Sequence, residues 1–170
     1  MQQQFAQEWT HAAYSQKTGW FYVPVQDIGA EVTRWRREFK ESIPYWGRER
    51  HRRLREHAGL HQGDRSRSRP GGMALGNDQP MCASVLATGG DLVFAGAPSG
   101  DFRAFHARTG EQLWQFQTGS GNHSSPTAYS VDGRQYIAVP VGWGAWTEGY
   151  LPGMLVAGHG DAVFAFALPE

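Results

Sequence analysis

The sequence has one cysteine, no long apolar run and no net charge, and each shortage removes a class of protein. The single thiol, Cys82, excludes an internal disulfide, a Cys-x-x-Cys zinc ribbon and a Cys-x-x-Cys-His haem attachment. No apolar stretch approaches the ~20 residues of a membrane-spanning helix, so no membrane span is expected. Residues 1–5 lack the basic-then-apolar order of a signal peptide. Lys and Arg together number 16, as do Asp and Glu. No overall field therefore draws the chain to nucleic acid or to an anionic surface. Helical periodicity is also scarce: only 34–40 and a basic stretch at 48–60 could turn as helix, and neither has a broad apolar face.

What is present suits pleated strands and tight turns. The 170 residues include 22 Gly, 9 Pro and 13 % aromatics; aromatic side chains pack on half-buried sheets, and Gly supplies the backbone that turns between them require. Alternating or short apolar runs predict strands at 84–88, 91–97, 102–106 and 112–118, separated by Gly89-Gly90, 98–101 and Thr109-Gly110. Four strands in roughly 35 residues match one blade of a propeller, whose repeat is about 40 to 50 residues. A hairpin follows at 126–130 and 135–141 around 131–134, then a glycine-rich loop and a last strand at 162–168. An earlier pair is predicted at 12–15 and 20–25. Between these parts, 63–72 is an arginine-serine run that reads as loop. Arginine crowds 34–69 and is nearly absent afterwards, where only Arg103, Arg108 and Arg134 remain.

The stretch 104–116, with Ala104, Thr109-Gly110 and Trp114, resembles the blade signature of PQQ-dependent methanol and ethanol dehydrogenases, an Ala-x-Asp-x-x-Thr-Gly turn followed by a Trp. Residues 9–24, which carry Trp9, Ala13-Tyr14-Ser15, Thr18-Gly19, Tyr22 and Pro24, are similar to another segment of that family. So are 77–94 and the closing phrases 133–139 and 141–146. The resemblance implies an all-β, partial β-propeller, the C-terminal blades of an eight-bladed quinoprotein propeller, with an irregular basic insertion. It divides the chain into a partial blade at 1–28, an Arg-rich segment at 29–76 and C-terminal blades at 77–170.

The resemblance fails within 29–76, where the family has another blade strand. Some codon choices for 63–76, read one nucleotide later, give a strand-like peptide of the family's kind. Translation out of frame across part of 48–76 and a genuine basic surface insertion therefore both remain open.

For function, the resemblance implies oxidation of a primary alcohol with PQQ as cofactor and a calcium or lanthanide ion as Lewis acid. It also implies a cytochrome c electron acceptor and a periplasmic location. The metal's carboxylate ligands and the catalytic aspartate belong to earlier blades, so no catalytic and no metal-binding residue is assigned in this chain, and the missing N-terminal blades are its implied partner. By the same resemblance Gly144, Ala145 and Trp146 meet the cofactor's edge. Cys82 stands where the family has a pocket-lining Trp, and Glu8 where it has an Asn that reaches the cofactor. Both departures oppose binding, the first by removing a flat surface and the second by adding negative charge beside an anion. The chain alone is expected to be inactive, and its open strand edges predict self-association.

His123, His159 and Asp161 lack a metal-ligand spacing and are read as loop or core residues. The arginine cluster lacks aromatic interleaving, so no nucleic-acid partner is expected. The alternative function is a non-catalytic PQQ-like repeat protein that acts through protein contacts.

Overall fold

The computed structural model describes residues 3–5, 10–33, 49–64, 74–77, 83–143 and 158–168. Of 3–5, 26–33, 49–64 and 74–77 the backbone path alone is described. Every regular element among these residues is a strand, and the strands form three antiparallel sheets.

The first sheet contains β1 (Gln3–Phe5), β2 (Ala13–Ser15), β3 (Trp20–Thr33), β4 (Glu49–Asp64) and β5 (Ala74–Asn77), ordered β1-β3-β4-β5 with β2 also on β3. The second contains β6 (Val85–Ala87), β7 (Leu92–Gly96), β8 (Asp101–His106) and β9 (Gln112–Gln117), paired in chain order. The third contains β10 (Thr127–Val131), β11 (Arg134–Val141) and β12 (Ala162–Ala167), again in chain order. The four-stranded antiparallel unit predicted at 84–118 is thus present, with boundaries within two residues of the reading.

Within the second sheet β7 is buried on both faces, and alternation along it shows how. On β7, Val93 and Ala95 join Tyr22, Val85 and Ala107 in a cluster against the first sheet. Their neighbour Phe94 points the other way, as successive strand residues must. It joins Phe102, Ala104, Ile137, Val139 and Val141 against the third sheet. Phe102 lies at the centre of this second cluster, fully buried, with Phe94 and Phe166 stacked at 5.8 Å and Trp114 edge-on at 6.2 Å. Tyr22 ties the first sheet to the second, its hydroxyl donating to the Ala107 carbonyl at 3.0 Å.

The turns follow their residues. Gly19 and Gly110 both take positive φ (76° and 71°), so the two Thr-Gly reversals use glycine's freedom as expected. Asp132 and Gly133 are both positive (50° and 78°), the pattern of a type I′ hairpin whose twist matches its strands. At the β6–β7 turn, positive φ falls on Asp91 (60°) and not on Gly89 or Gly90.

One expectation is overturned. The stretch 48–60, read as a possible basic helix, runs as the strand β4, antiparallel to β3 from Trp20↔Asp64 to Thr33↔Glu49, with an irregularity between Gln26 and Ile28. A helix there would have no apolar face to bury, whereas the free edge of β3 offers a ladder of main-chain partners. The possible helical turn at 34–40 and most of the arginine-serine run lie outside the described residues.

Candidate functional site

Antiparallel order brings several connections to one end of the sheets: the approach to β6, the β7–β8 turn at 97–100, the β9–β10 connection at 118–126, and the segments that leave β11 and enter β12. The residues there are small and polar, and main-chain bonds lock the loops together. Asn122 N–H donates to the Ala97 carbonyl at 3.2 Å, Thr118 N–H to Gly100 at 2.9 Å, and Gly142 N–H to Gly121 at 2.9 Å. Thr118 Oγ1 adds a bond to Gly100 O at 2.7 Å.

Trp143 forms the floor of this end. It is buried, its Nε1 donates to Gly158 O at 3.1 Å, and the His123 ring lies 5.0 Å from it, tilted by 48°. Gly121 must be glycine beneath the indole, because a Cβ there would come within 2.8 Å of the ring. Burial holds the His123 imidazole below its ordinary pKa, so the ring is neutral near pH 7.

A second group lies beside it. Ser84 Oγ accepts from His11 N–H at 2.8 Å and from Ser125 Oγ at 2.8 Å, while His11 Nδ1 stands 3.1 Å from Ser125 Oγ and 3.3 Å from Ser84 Oγ. Ser84 N–H reaches Ser124 O at 3.2 Å, and Ser124 Oγ donates to the Pro140 carbonyl. Segments from all three sheets are thereby joined.

Gly144, Ala145, Trp146, Cys82 and Glu8 lie outside the described residues. The residues that adjoin them do not: Trp143 precedes Gly144, Ala83 follows Cys82, and His11 is three positions after Glu8. His11, Ala83-Ser84 and Trp143 all sit at this same end. Of the three residues set aside as metal ligands, His123 packs on Trp143, while His159 and Asp161 are exposed. The His11–Ser84–Ser125 group escaped the sequence reading because its members are 73 and 41 residues apart. The dense polar run 119–125 was its one visible sign.

The buried polar atoms Ser120 Oγ, Asn122 Oδ1 and His123 Nε2 have no hydrogen-bond partner among the described residues. The Ser120 hydroxyl and the neutral His123 ring can each donate to an oxygen acceptor, whereas Asn122 Oδ1 can only accept.

The sequence matches the family described as glucose/ethanol/alcohol dehydrogenase, beta-propeller domain, across residues 48–137, more than half of the chain and including the later part of its arginine-rich segment. It is 43 % identical over 141 residues to a quinoprotein ethanol dehydrogenase of Pseudomonas putida, covering 80 % of this chain and 22 % of that protein. It is 33 % identical over 171 residues to the quinoprotein alcohol dehydrogenase PedH of Pseudomonas putida, covering 97 % and 29 %. Among solved structures, a europium-containing methanol dehydrogenase superposes with a TM-score of 0.79 at 24 % identity, over 94 % of this chain and 32 % of that one, a likeness of fold. The quinohemoprotein alcohol dehydrogenase of Comamonas testosteroni gives 0.67 at 28 % identity, over 81 % and 22 %. The chain thus spans roughly a quarter of the length of these curated relatives.

Proposed function

The chain belongs to the PQQ-dependent glucose/ethanol/alcohol dehydrogenase β-propeller family, and from that premise we propose that it forms the C-terminal wall of a quinoprotein that oxidises primary alcohols to aldehydes. The observation that supports this most directly is the polar loop end, where segments adjoining Glu8, Cys82 and Gly144 converge around Trp143. The division into a partial blade at 1–28, an Arg-rich segment at 29–76 and closing blades at 77–170 belongs to the same reading.

The described residues fit the cofactor's chemistry. PQQ is a flat, anionic, oxygen-rich quinone, and the unpartnered Ser120 hydroxyl and His123 Nε2, at the loop end of the sheets, are groups that could donate to it. When bound, PQQ supplies a two-electron acceptor for the alcohol carbon, and a calcium or lanthanide ion, held by blades outside this chain, supplies Lewis acidity.

The chain's own contribution is positioning. Gly121 lets Trp143 lie flat against the β9–β10 connection, and Trp143 sets the start of the 144–146 loop whose backbone we assign to the cofactor's edge. The His11–Ser84–Ser125 bonds hold the segments that carry Glu8 and Cys82. Glu8 opposes an anionic cofactor, and Cys82 gives it no flat surface. We therefore assign PQQ binding to the assembled ring and not to these residues by themselves. A cytochrome c acceptor and a periplasmic location complete the proposal.

The test is to titrate PQQ with calcium into the purified chain, following cofactor absorbance and alcohol-dependent dye reduction. We expect neither saturable binding in the micromolar range nor turnover; saturable micromolar binding would show that the pocket is complete here. Reading the nucleotides that encode 48–76 separates the two origins of the basic segment. If no shifted frame yields a family-like strand, the insertion is genuine.

A further inference from the structure

We propose that His106 is a proton-operated latch: its neutral ring holds the β8–β9 turn closed, and its protonation opens that turn and loosens the joint between the first and second sheets. The latch sits at the end of the sheets opposite the polar loop end and does not depend on the cofactor reading.

The ring closes the turn by accepting. Thr109 N–H donates to His106 Nδ1 at 3.2 Å, and Thr109 Oγ1 stands 3.1 Å from the same nitrogen. A ring nitrogen that accepts from a main-chain N–H carries no proton, so this is the neutral tautomer with its hydrogen on Nε2. Neighbouring bonds share the geometry: Glu111 N–H donates to Thr109 Oγ1 at 3.3 Å, His106 N–H to Glu111 O at 2.8 Å and Gly110 N–H to His106 O at 2.9 Å. An Asn or Asp would accept here through an oxygen whatever the state of an imidazole. A histidine accepts only while neutral.

The two residues after the ring tie the turn to its surroundings. Ala107 N–H donates to Asp91 O at 2.8 Å, and Ala107 O accepts from the Tyr22 hydroxyl, which is itself 3.0 Å from Thr18 Oγ1. Arg108 donates to the Lys17 carbonyl at 2.9 Å, and Lys17 Nζ pairs with the Asp91 carboxylate. Closure of the turn and its ties to the first sheet thus fall on consecutive residues, and a change at the ring passes straight to the joint.

Charge decides where a protonated ring turns. An Nδ1–H cannot share a bond with another donor, so it must leave Thr109. Among the described residues, Arg108 on the same turn and Lys17 across the joint repel an imidazolium. Glu111 on the turn is exposed, Leu92 is its apolar partner on β7, and Asp132 with Arg134 at the hairpin tip of the third sheet bring one charge of each sign. Asp91 remains: its carboxyl is held below its ordinary value first by the hydrogen bond from Lys17 and further by the charges of Lys17, Arg108 and His106. The imidazolium therefore competes with Lys17 for Asp91. One tie replaces another, so opening is a local event and not a step of global unfolding.

Hydrogen exchange of the full chain, resolved to single amides and corrected for intrinsic rate, tests the latch between about pH 8 and about pH 5, the interval in which imidazole changes charge. Protection of Thr109 N–H should fall about tenfold on acidification, the effect of losing one hydrogen bond, and Ala107 N–H should follow it. Ala97 N–H, bonded to Asp101 O at the other end of β8, should not respond. His106→Asn should keep Thr109 protected at both pH values, while His123→Gln should leave the acid response intact. Long-range proton–nitrogen spectra of the unaltered chain should place the His106 proton on Nε2 at about pH 8, a result that needs no variant to fold. The latch is refuted by Thr109 protection that ignores pH, by an acid response that persists in His106→Asn, or by a ring proton on Nδ1 at the higher pH.

Discussion

Replacing Phe102 tests whether the second and third sheets are truly one core. The ring is fully buried and touches Phe94, Trp114 and Phe166, so a truncation strips contacts on three sides. Phe-to-Ala changes at such sites cost about 3–5 kcal/mol. In a chain of this size, each kcal/mol lowers Tm by about 2–4 °C, giving a fall of about 6–20 °C. That loss is comparable with the total stability of many domains, so Phe102→Leu, expected to cost about 1–1.5 kcal/mol, provides a measurable partner. Urea unfolding followed by far-UV circular dichroism supplies the values. The sharper assay is a double-mutant cycle between Phe102→Leu and Phe166→Leu. Stacked rings in contact should couple by about 0.5–1.5 kcal/mol. If the two losses simply add, the stacking of the sheets described above is wrong, whatever the individual costs.

Other outcomes can be checked with the same chain. Tyr22→Phe deletes the hydroxyl that donates to Ala107 O and should cost about 1–2 kcal/mol in urea unfolding; a neutral result would detach the first sheet from the second. Gly121→Ala drives a methyl into the Trp143 indole and should cost about 1–3 kcal/mol while altering the near-UV signal of that ring, and an unchanged near-UV spectrum would contradict the packing. Stability should decline with acid in two steps. Burial depresses the His123 pKa, so the unfolded chain takes up that proton first and stability falls as pH drops below about 6.5; His123→Gln should flatten this limb. For Asp101, burial raises the pKa but donors from Ser99, Arg103 and Gln115 outweigh it and leave it lowered. Its contribution is present above pH ~3.9 and lost as pH falls through the lower folded value, so Asp101→Asn should shrink that second step and leave the part that Asp91, lowered by its bond to Lys17, contributes.

The strands at 84–118 were legible because each satisfies a local rule. Leu92, Val93 and Phe94 form an apolar run, and the alternation of Trp114 with Phe116 and the Thr-Gly turns are sequence-adjacent events. The strand β4 was not legible, since a run rich in Arg and His has no apolar period of either kind; its conformation comes from main-chain pairing with the preceding strand β3. The turn at Gly89-Gly90 stands where it was read, but its backbone detail depends on distant partners. Two glycines offered the freedom, yet Asp91 took the positive φ, with its carbonyl accepting from Ala107 N–H at 2.8 Å and its carboxylate paired with Lys17. At the candidate site the resemblance named Glu8, Cys82 and 144–146, whereas His11, Ser84, Asn122 and Ser125 were invisible because their roles depend on partners from other sheets.

The alternation on β7 and β8 has a consequence for which changes of length the chain can absorb. Val93 and Ala95 serve one core cluster and Phe94 the other, so neither side of this ribbon is spare. Inserting or deleting one residue there would exchange the inventories of both clusters in a single event, placing Phe94 where only Ala and Val fit. Length polymorphism should thus gather at the exposed hairpin tip Asp132-Gly133 and vanish from 92–96 and 101–106, a distribution that a library of single-codon insertions screened for soluble expression would reveal.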